Sequence, residues 1–154
     1  MAFDEAKARA YGFEPVTVTV DRGRLAFFAR ATGQADPVYT DLAAARAAGH
    51  RDLPVPPTFF FGLELELELP DPFGYLAALG VDLRHMLHGK QSFTYHALVY
   101  AGETVTLRSR ITGVTVRSGG AMVLLVKTTD ITRDGEPVAE ASSTIIVRDP
   151  EAKQ

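Results

Sequence analysis

The polar residues best able to do chemistry in this 154-residue sequence stand in one short segment. Residues 29–41 read ARATGQADPVYTD, with Gln34, Asp36 and Tyr39 arranged around an Asp-Pro pair. A proline-containing loop between two helices often presents side chains to a ligand. Asp36 can serve as a base or cap a turn before Pro37, and Tyr39 can face a ligand or pack as an aromatic with its hydroxyl bonded. Gln34 is either a ligand contact or an ordinary loop amide.

The four histidines are the other candidates: His50, His85, His88 and His96. His88 precedes Gly89 where the chain enters a predicted sheet, and it could meet a ligand phosphate, polarise a carbonyl or make a structural hydrogen bond. His96 falls on the opposite face of its predicted strand from two aromatic neighbours. His50 and His85 lie in predicted turns and are expected to face solvent. None has the spacing of a metal site, so no metal is predicted.

Composition excludes several classes of protein. The net charge of −3 gives no reason to expect binding to nucleic acid or to an anionic membrane. The absence of cysteine excludes disulfides, thiolate nucleophiles and sulfur metal sites. The N-terminus has no apolar core typical of a secretory signal, and no apolar run reaches the roughly 18 residues of a membrane helix. A cytoplasmic protein is predicted.

The first half of the chain has mainly helical patterns. VTVTV at 16–20 alternates like a short strand, and Asp21 can cap the helix that follows and ends near Gly33. Residues 41–49 form a second predicted helix, capped by Thr40 or Asp41 and ended by Gly49. Residues 57–69 are predicted as an apolar helix with Phe60, Leu63 and Leu67 on one side, although the Leu-Glu alternation within this segment also fits a strand.

The second half has strand patterns. Strands are predicted at 91–98, 104–117, 121–133 and 136–149, with a turn at 118–120 and a hairpin at Asp134-Gly135. With the strand at 16–20 they make an antiparallel sheet of about five strands around the helix at 57–69. The prediction is an α+β fold in a single domain covering 1–154, with 1–14 and 150–154 as peripheral tails.

Two segments resemble a known family. FARATGQADPVYTDLAAARAAGHRDLPVPPTF looks like the overhang segment of MaoC-like hydratases and dehydratases, the (R)-specific enoyl-thioester hydratase group. MLHGKQSFTYHALVYAGETV is similar to the Leu-His-Gly-Glu-Gln stretch of the FAS1-like dehydratase N-terminal domain, with Lys90 where the usual pattern has Glu. The resemblance implies the hot-dog fold, in which a curved antiparallel sheet wraps a central helix.

The resemblance also implies a reaction. Active members carry Gly-Asp-x-Asn-Pro-x-His in the loop, and the Asp and His hold a water that adds across a 2-enoyl thioester. Here Gly33 and Pro37 match, but Gln34 falls at the Asp position, Asp36 at the Asn position and Tyr39 at the His position. Glutamine does not take a proton at neutral pH, and tyrosine is a poor acid or base there. No residue is therefore assigned as catalytic, and His88 is kept as a further candidate.

The implied role is a subunit that lacks the dyad and supports a catalytic MaoC-like partner in fatty acid metabolism. Its ligand would be an acyl thioester of coenzyme A or of acyl carrier protein, with no other cofactor. The alternatives are a homo-oligomeric acyl-thioester binding protein without lyase activity, and a self-sufficient hydratase using Tyr39, Asp36 and His88. An apolar slot is expected between residues 59–61 and 91–98. The predicted substrate-binding residues are Thr58, Phe59, Phe60, Gly62, His88, Gly89 and Gln91.

Overall fold

The computed structural model describes residues 3–65 and 71–148. Its helices and strands alternate early in the chain, and its long strands come late. In chain order they are α1 (Glu5–Arg9), β1 (Val16–Thr19), α2 (Arg22–Ala31), α3 (Leu42–Ala47), α4 (Phe59–Leu65), α5 (Gly74–Ala78), β2 (Met86–Tyr95), β3 (Thr104–Arg117), β4 (Met122–Arg133) and β5 (Glu136–Arg148).

The five strands form one antiparallel sheet in the order β1-β3-β4-β5-β2. This confirms the predicted sheet of about five strands. Strands β3, β4 and β5 follow one another as a meander, and Asp134 and Gly135 join the last two with positive φ angles of 52° and 84°. The edges are unequal: β1 has four residues, whereas β2 has ten and pairs with β5 alone.

Helix α4 lies against the sheet and supplies the centre of the main core. Phe59 and Leu63 are 1% and 0% exposed and pack with residues of α2 and of β3 to β5. The helical interpretation of this segment is therefore correct as far as Leu65, and Leu67 lies outside the described residues. Glu64 is buried in α4, where its Oε2 accepts a hydrogen bond from Lys127 Nζ of β4 at 2.9 Å. This pair explains how one glutamate of the Leu-Glu run can face the interior.

Two of the predicted N-caps are present, and they set where the helices on either side of the loop at 33–39 begin. The Asp21 carboxylate accepts from Arg24 N at 2.8 Å, so α2 begins at Arg22, earlier than the pattern indicates. The Asp41 carboxylate accepts from Ala43 N and Ala44 N at 2.7 and 3.1 Å. These caps satisfy backbone donors that a helix start leaves free.

The predicted bounds of the first long strand were wrong. Strand β2 begins at Met86 and ends at Tyr95, whereas the sequence indicated 91–98. His96 N and Ala97 N both donate to Val138 O, at 2.9 and 3.2 Å, so the chain leaves the ladder there. The register also shifts between His88 and Lys90, which is a bulge at Gly89. Because Gly89 makes residues 88–90 resemble a turn, the sequence pattern did not indicate the first half of this strand.

The N-terminal segment is part of the packed structure, and its prediction as a peripheral tail was wrong from Phe3 onward. Ala8 of α1 is 0% exposed in a second core cluster with residues of α5 and of the sheet. Lys7 Nζ donates to Ala78 O of α5 at 2.6 Å. Residues 1–2 and 149–154 lie outside the described residues. Within the described part of the chain, no helix is long and apolar enough to cross a membrane.

Candidate functional site

The loop that carries Gln34 and Asp36 is held by the side chains of these two residues. Asp36 Oδ1 accepts from Val38 N at 3.0 Å and caps the short 3-10 turn Pro37–Tyr39. Gln34 Oε1 accepts from Asp36 N at 3.1 Å, and Gln34 N donates to Ala29 O at 2.8 Å. Both side chains therefore make hydrogen bonds within their own loop, and both residues are exposed. This is the local, turn-capping role that an Asp-Pro pair commonly has.

Tyr39 lies in a different setting, at the wall of a groove of about 410 Å³. The groove runs between the segment before α4, α4 itself and the chain just after β2. Its lining is largely apolar and comprises Tyr39, His50, Pro54, Val55, Pro57, Phe60 and residues 95–99. The expected slot between residues 59–61 and 91–98 thus has a counterpart in the structure, bordered by Phe60 and by 95–98. A groove of this volume lies within the range of small-molecule sites.

Tyr95 contacts both sides of this groove. Its hydroxyl donates to Pro57 O at 3.0 Å, and its ring lies 5.9 Å from that of Phe60. Burial raises the pKa of Tyr95 above its ordinary value, so the phenol stays neutral at physiological pH and the hydrogen bond to Pro57 persists. Tyr95 is nevertheless 47% exposed and Leu98 56%, so the groove is open on the side of the β2 edge.

His50 is a groove residue that sequence reasoning placed in solvent. It is half-buried, and its Nδ1 lies 3.2 Å from the hydroxyl of Tyr100. Gly49 ends α3 at φ +90°, and His50 N then donates to Ala45 O at 3.0 Å. This is a Schellman-type helix end, after which the second residue commonly packs back onto the protein. The Gly49-His50 pair after an alanine-rich helix is therefore the sequence signal that indicates a packed His50.

A second group of candidates lies at the beginning of β2. His88 stacks on Phe61 of α4 with ring centroids 5.2 Å apart and an interplanar angle of 5°. Gln91 Oε1 lies 3.2 Å from His88 Nε2 and also accepts from Ser143 Oγ of β5. Gly89 forms the bulge between them, where a Cβ would meet Ile146 Cδ1 at 2.7 Å. Gly89 therefore has a packing role, and the bulge sets where His88 and Gln91 point.

Three of the predicted substrate-binding residues lie at the start of α4. Phe59 N donates to Pro56 O at 2.9 Å and Phe61 N to Thr58 O at 3.2 Å, so these two groups already have acceptors. Thr58 itself is exposed just before the helix. Phe59 lies inside the core with its ring 5.1 Å from Phe28. A Cβ on Gly62 would touch the Phe59 ring at 3.5 Å, and Gly62 is not part of the groove lining.

Five of the predicted site residues fall into two places. Phe60 and Tyr39 border the groove near the end of β2, whereas His88, Gly89 and Gln91 lie near its beginning. Seven residues separate His88 from Tyr95, roughly 20 Å along a strand. The strand therefore places His88 away from the groove that Tyr39 borders, and a self-sufficient site made from Tyr39, Asp36 and His88 stays a prediction. Among the described residues, no group of three metal-binding side chains comes together.

The five-stranded sheet on α4, with a loop and groove at one end of the helix, defines a hot-dog domain of the dehydratase type. A family model described as the FAS1-like, dehydratase domain region matches residues 3–141, and the chain belongs to this family. A UPF0336 protein of Parafrankia sp. is 39% identical over 137 residues, which is 86% of each chain.

Solved structures agree with this assignment. The chain is similar to one from the C-terminally truncated HadBC (3R-hydroxyacyl-ACP dehydratase) complex of Mycobacterium tuberculosis, with 28% identity, a TM-score of 0.73, and coverage of 88% of this chain and 93% of that one. It also shares its fold with a chain of the ChsH1-ChsH2 complex from the same organism, with 24% identity, a TM-score of 0.74, and coverage of 96% and 95%. Both solved structures are complexes.

Proposed function

We propose that this chain is the non-catalytic subunit of an (R)-specific enoyl-thioester hydratase, equivalently a 3-hydroxyacyl-thioester dehydratase in the reverse direction. The proposal is carried by the loop at 33–39, where the family resemblance aligns Gln34 and Tyr39 with the Asp and His of active members. Adding water across a double bond needs one group to accept a proton and another to donate one, both within hydrogen-bond reach of the same water. Gln34 does not titrate, and Asp36 uses its carboxylate to cap the turn.

The partner in this proposal is a MaoC-like hot-dog chain with an intact Asp and His in the corresponding loop. That chain would hold the water and move the protons. The present chain would support the partner's fold and line part of the acyl site. Likeness to a chain of the HadBC complex supports a paired arrangement, since that protein is a 3R-hydroxyacyl-ACP dehydratase built as a complex. The outer edge of β2 supports it as well, because a ten-residue strand that has no second neighbour in the described sheet is a natural site for another sheet to add.

The test is reconstitution with a MaoC-like chain bearing the complete motif. The lone chain should show negligible hydration of crotonyl-CoA and of longer 2-enoyl-CoA esters, and co-expression should give a complex that hydrates them. Tyr39→Phe should leave the complex within a few-fold of wild type, because a residue without an acid–base role loses little when its hydroxyl is removed. Mutation of the partner's Asp or His should lower the rate by about 10²–10⁴.

Two results would reject the proposal. Turnover by the lone chain that falls by about 10² or more in Tyr39→Phe would make this subunit catalytic. Failure of every co-expressed MaoC-like chain to bind, together with tight acyl-CoA binding by a self-associated form, would favour the acyl-thioester binding protein instead.

A further inference from the structure

Lys90 lies near the middle of β2, the strand at the outer edge of the sheet. Phe93 packs against the main core beneath α4, and side chains alternate between the two faces of a strand, so Lys90 lies on the face away from α4. The strand register agrees, because it aligns Lys90 with Thr144, which stands between the buried Ser143 and Ile145 of β5. Lys90 is exposed there.

The charge of Lys90 is uncompensated within this part of the sheet. Strand β2 reads MLHGKQSFTY and contains no aspartate or glutamate. Its neighbours on β5 are neutral, since Ser142, Thr144 and Ile146 face the same side. Arg84, just before the strand, is already paired with Asp82. Among the described residues, no salt bridge includes Lys90. Any strand that adds to this edge therefore meets an unpaired positive charge.

Pairing of β2 with the β2 strand of a second copy would bring two like charges together. In an antiparallel pair related by a two-fold axis, residues that face each other lie on the same face of the sheet. Registers centred near the middle of β2 pair the most residues. They place Lys90 directly opposite the same lysine of the second copy, or diagonal to it at about 7–8 Å. Both separations lie within the screening length of about 8–10 Å in physiological salt, so the two charges repel.

We propose that Lys90 selects the partner of this edge. It opposes pairing with a second copy of this chain and favours a hot-dog strand that carries an aspartate or glutamate opposite it. The backbone hydrogen bonds of an added strand are the same for any partner, so the side chains must supply the difference. The inference rests on the proposed function, in which the partner is a catalytic hot-dog chain, and it names the chemistry by which that partner is recognised.

The first test needs only this chain and a charge-reversed variant. Lys90→Glu, fluorescently labelled at its N-terminus, is titrated with unlabelled wild type or with unlabelled Lys90→Glu, and wild type is titrated with itself. Sedimentation velocity gives the dissociation constants. At low salt the mixed pair should associate at least about fivefold more tightly than either self-pair, because only the mixed pair places opposite charges across the edge. The difference should shrink at about 1 M salt, where such charges are screened.

Arg117→Glu is the matched control for this mixing experiment. It reverses the same charge at an exposed position of β3, three strands away from β2. Its mixture with wild type should associate no more tightly than wild type with itself, and circular dichroism verifies that each variant is folded. The proposal is wrong if the Lys90→Glu mixture is no tighter than its self-pairs at low salt, or if the Arg117→Glu mixture gains as much.

The second test uses the reconstituted complex with the MaoC-like chain. Wild type should bind that chain about tenfold more tightly than Lys90→Glu does, and Lys90→Gln should lie between them, because the charge is first removed and then reversed. Equal binding of all three in an active complex would overturn this inference while the proposed function stands. Failure of every MaoC-like chain to form an active complex would instead reject the proposed function, and the mixing experiment does not depend on that outcome.

Discussion

At the scale of single residues, the polar side chains of the loop at 33–39 and of the groove have different roles. Gln34 and Asp36 hydrogen-bond within their own loop, whereas Tyr39 lines the groove. The Asp-Pro turn was predictable because Asp and Pro favour that geometry through local bonds. The place of His50 was predictable only in part: the helix end at Gly49 indicates that His50 packs back onto the protein, but its partner Tyr100 lies fifty residues further along the chain.

The buried pair of Glu64 and Lys127 gives a prediction at this scale. Lys127→Met should lower the free energy of unfolding by about 3 kcal/mol, because it leaves the Glu64 carboxylate buried without its cation. Lys127 Nζ also lies 5.6 Å from the centre of the Tyr75 ring, and that contact would be lost as well. Urea denaturation at a fixed protein concentration measures the change. The double variant Glu64→Gln with Lys127→Met should recover most of it; a loss below about 1 kcal/mol in the single variant would show that the pair is not important for stability.

At the scale of elements, the strands rich in β-branched residues and bounded by turns were the most predictable. The predicted strand at 104–117 is found unchanged as β3, because β-branched residues alternate through it and glycine-containing turns bound it. The beginning of β2 was missed because His88, Gly89 and Lys90 look like a turn when only local preferences are considered. The bulge exists because Gly89 lies against Ile146 of β5, a contact between residues far apart in sequence.

Two glycines in these elements should respond oppositely to substitution by alanine. At Gly89 a Cβ would lie 2.7 Å from Ile146 Cδ1 and 2.9 Å from its Cγ1, so Gly89→Ala should destabilise the chain by about 1–3 kcal/mol. At Gly62 the nearest atom is 3.5 Å away, an ordinary contact, and alanine is favoured in a helix by about 1 kcal/mol. Gly62→Ala should therefore be neutral or stabilising. Thermal unfolding compares the two.

Ile146→Ala is the control that ties the Gly89 effect to this contact. It removes both of the crowding atoms, so Gly89→Ala should cost little when introduced into that background. A Gly89→Ala loss that is the same in both backgrounds would mean that the bulge itself requires glycine.

At the scale of the whole molecule, the asymmetry of the sheet edges predicts assembly. Strand β1 is a short edge of four residues, whereas β2 leaves ten residues without a second neighbour and exposes Leu87 and Tyr95 at 54% and 47%. An edge of this length with exposed apolar side chains favours addition of another sheet. The chain should therefore be at least a dimer, either with itself or with its catalytic partner. A single monomeric species in light scattering at micromolar concentration, in the presence of the partner, would contradict this prediction of a dimer.

The position of the interface can be tested with two matched substitutions. Leu87→Asp places a charge on the free edge, and Val116→Asp places one on β3, three strands away in the sheet, where Val116 is 39% exposed. Burying an unpaired carboxylate at an interface typically costs about 2–5 kcal/mol, so Leu87→Asp should weaken association with the partner at least about tenfold. Val116→Asp should leave association unchanged. Sedimentation velocity across a concentration series measures both, with circular dichroism to verify that each variant is folded. If a folded Leu87→Asp variant associates as tightly as wild type, the partner does not bind at the free edge of β2.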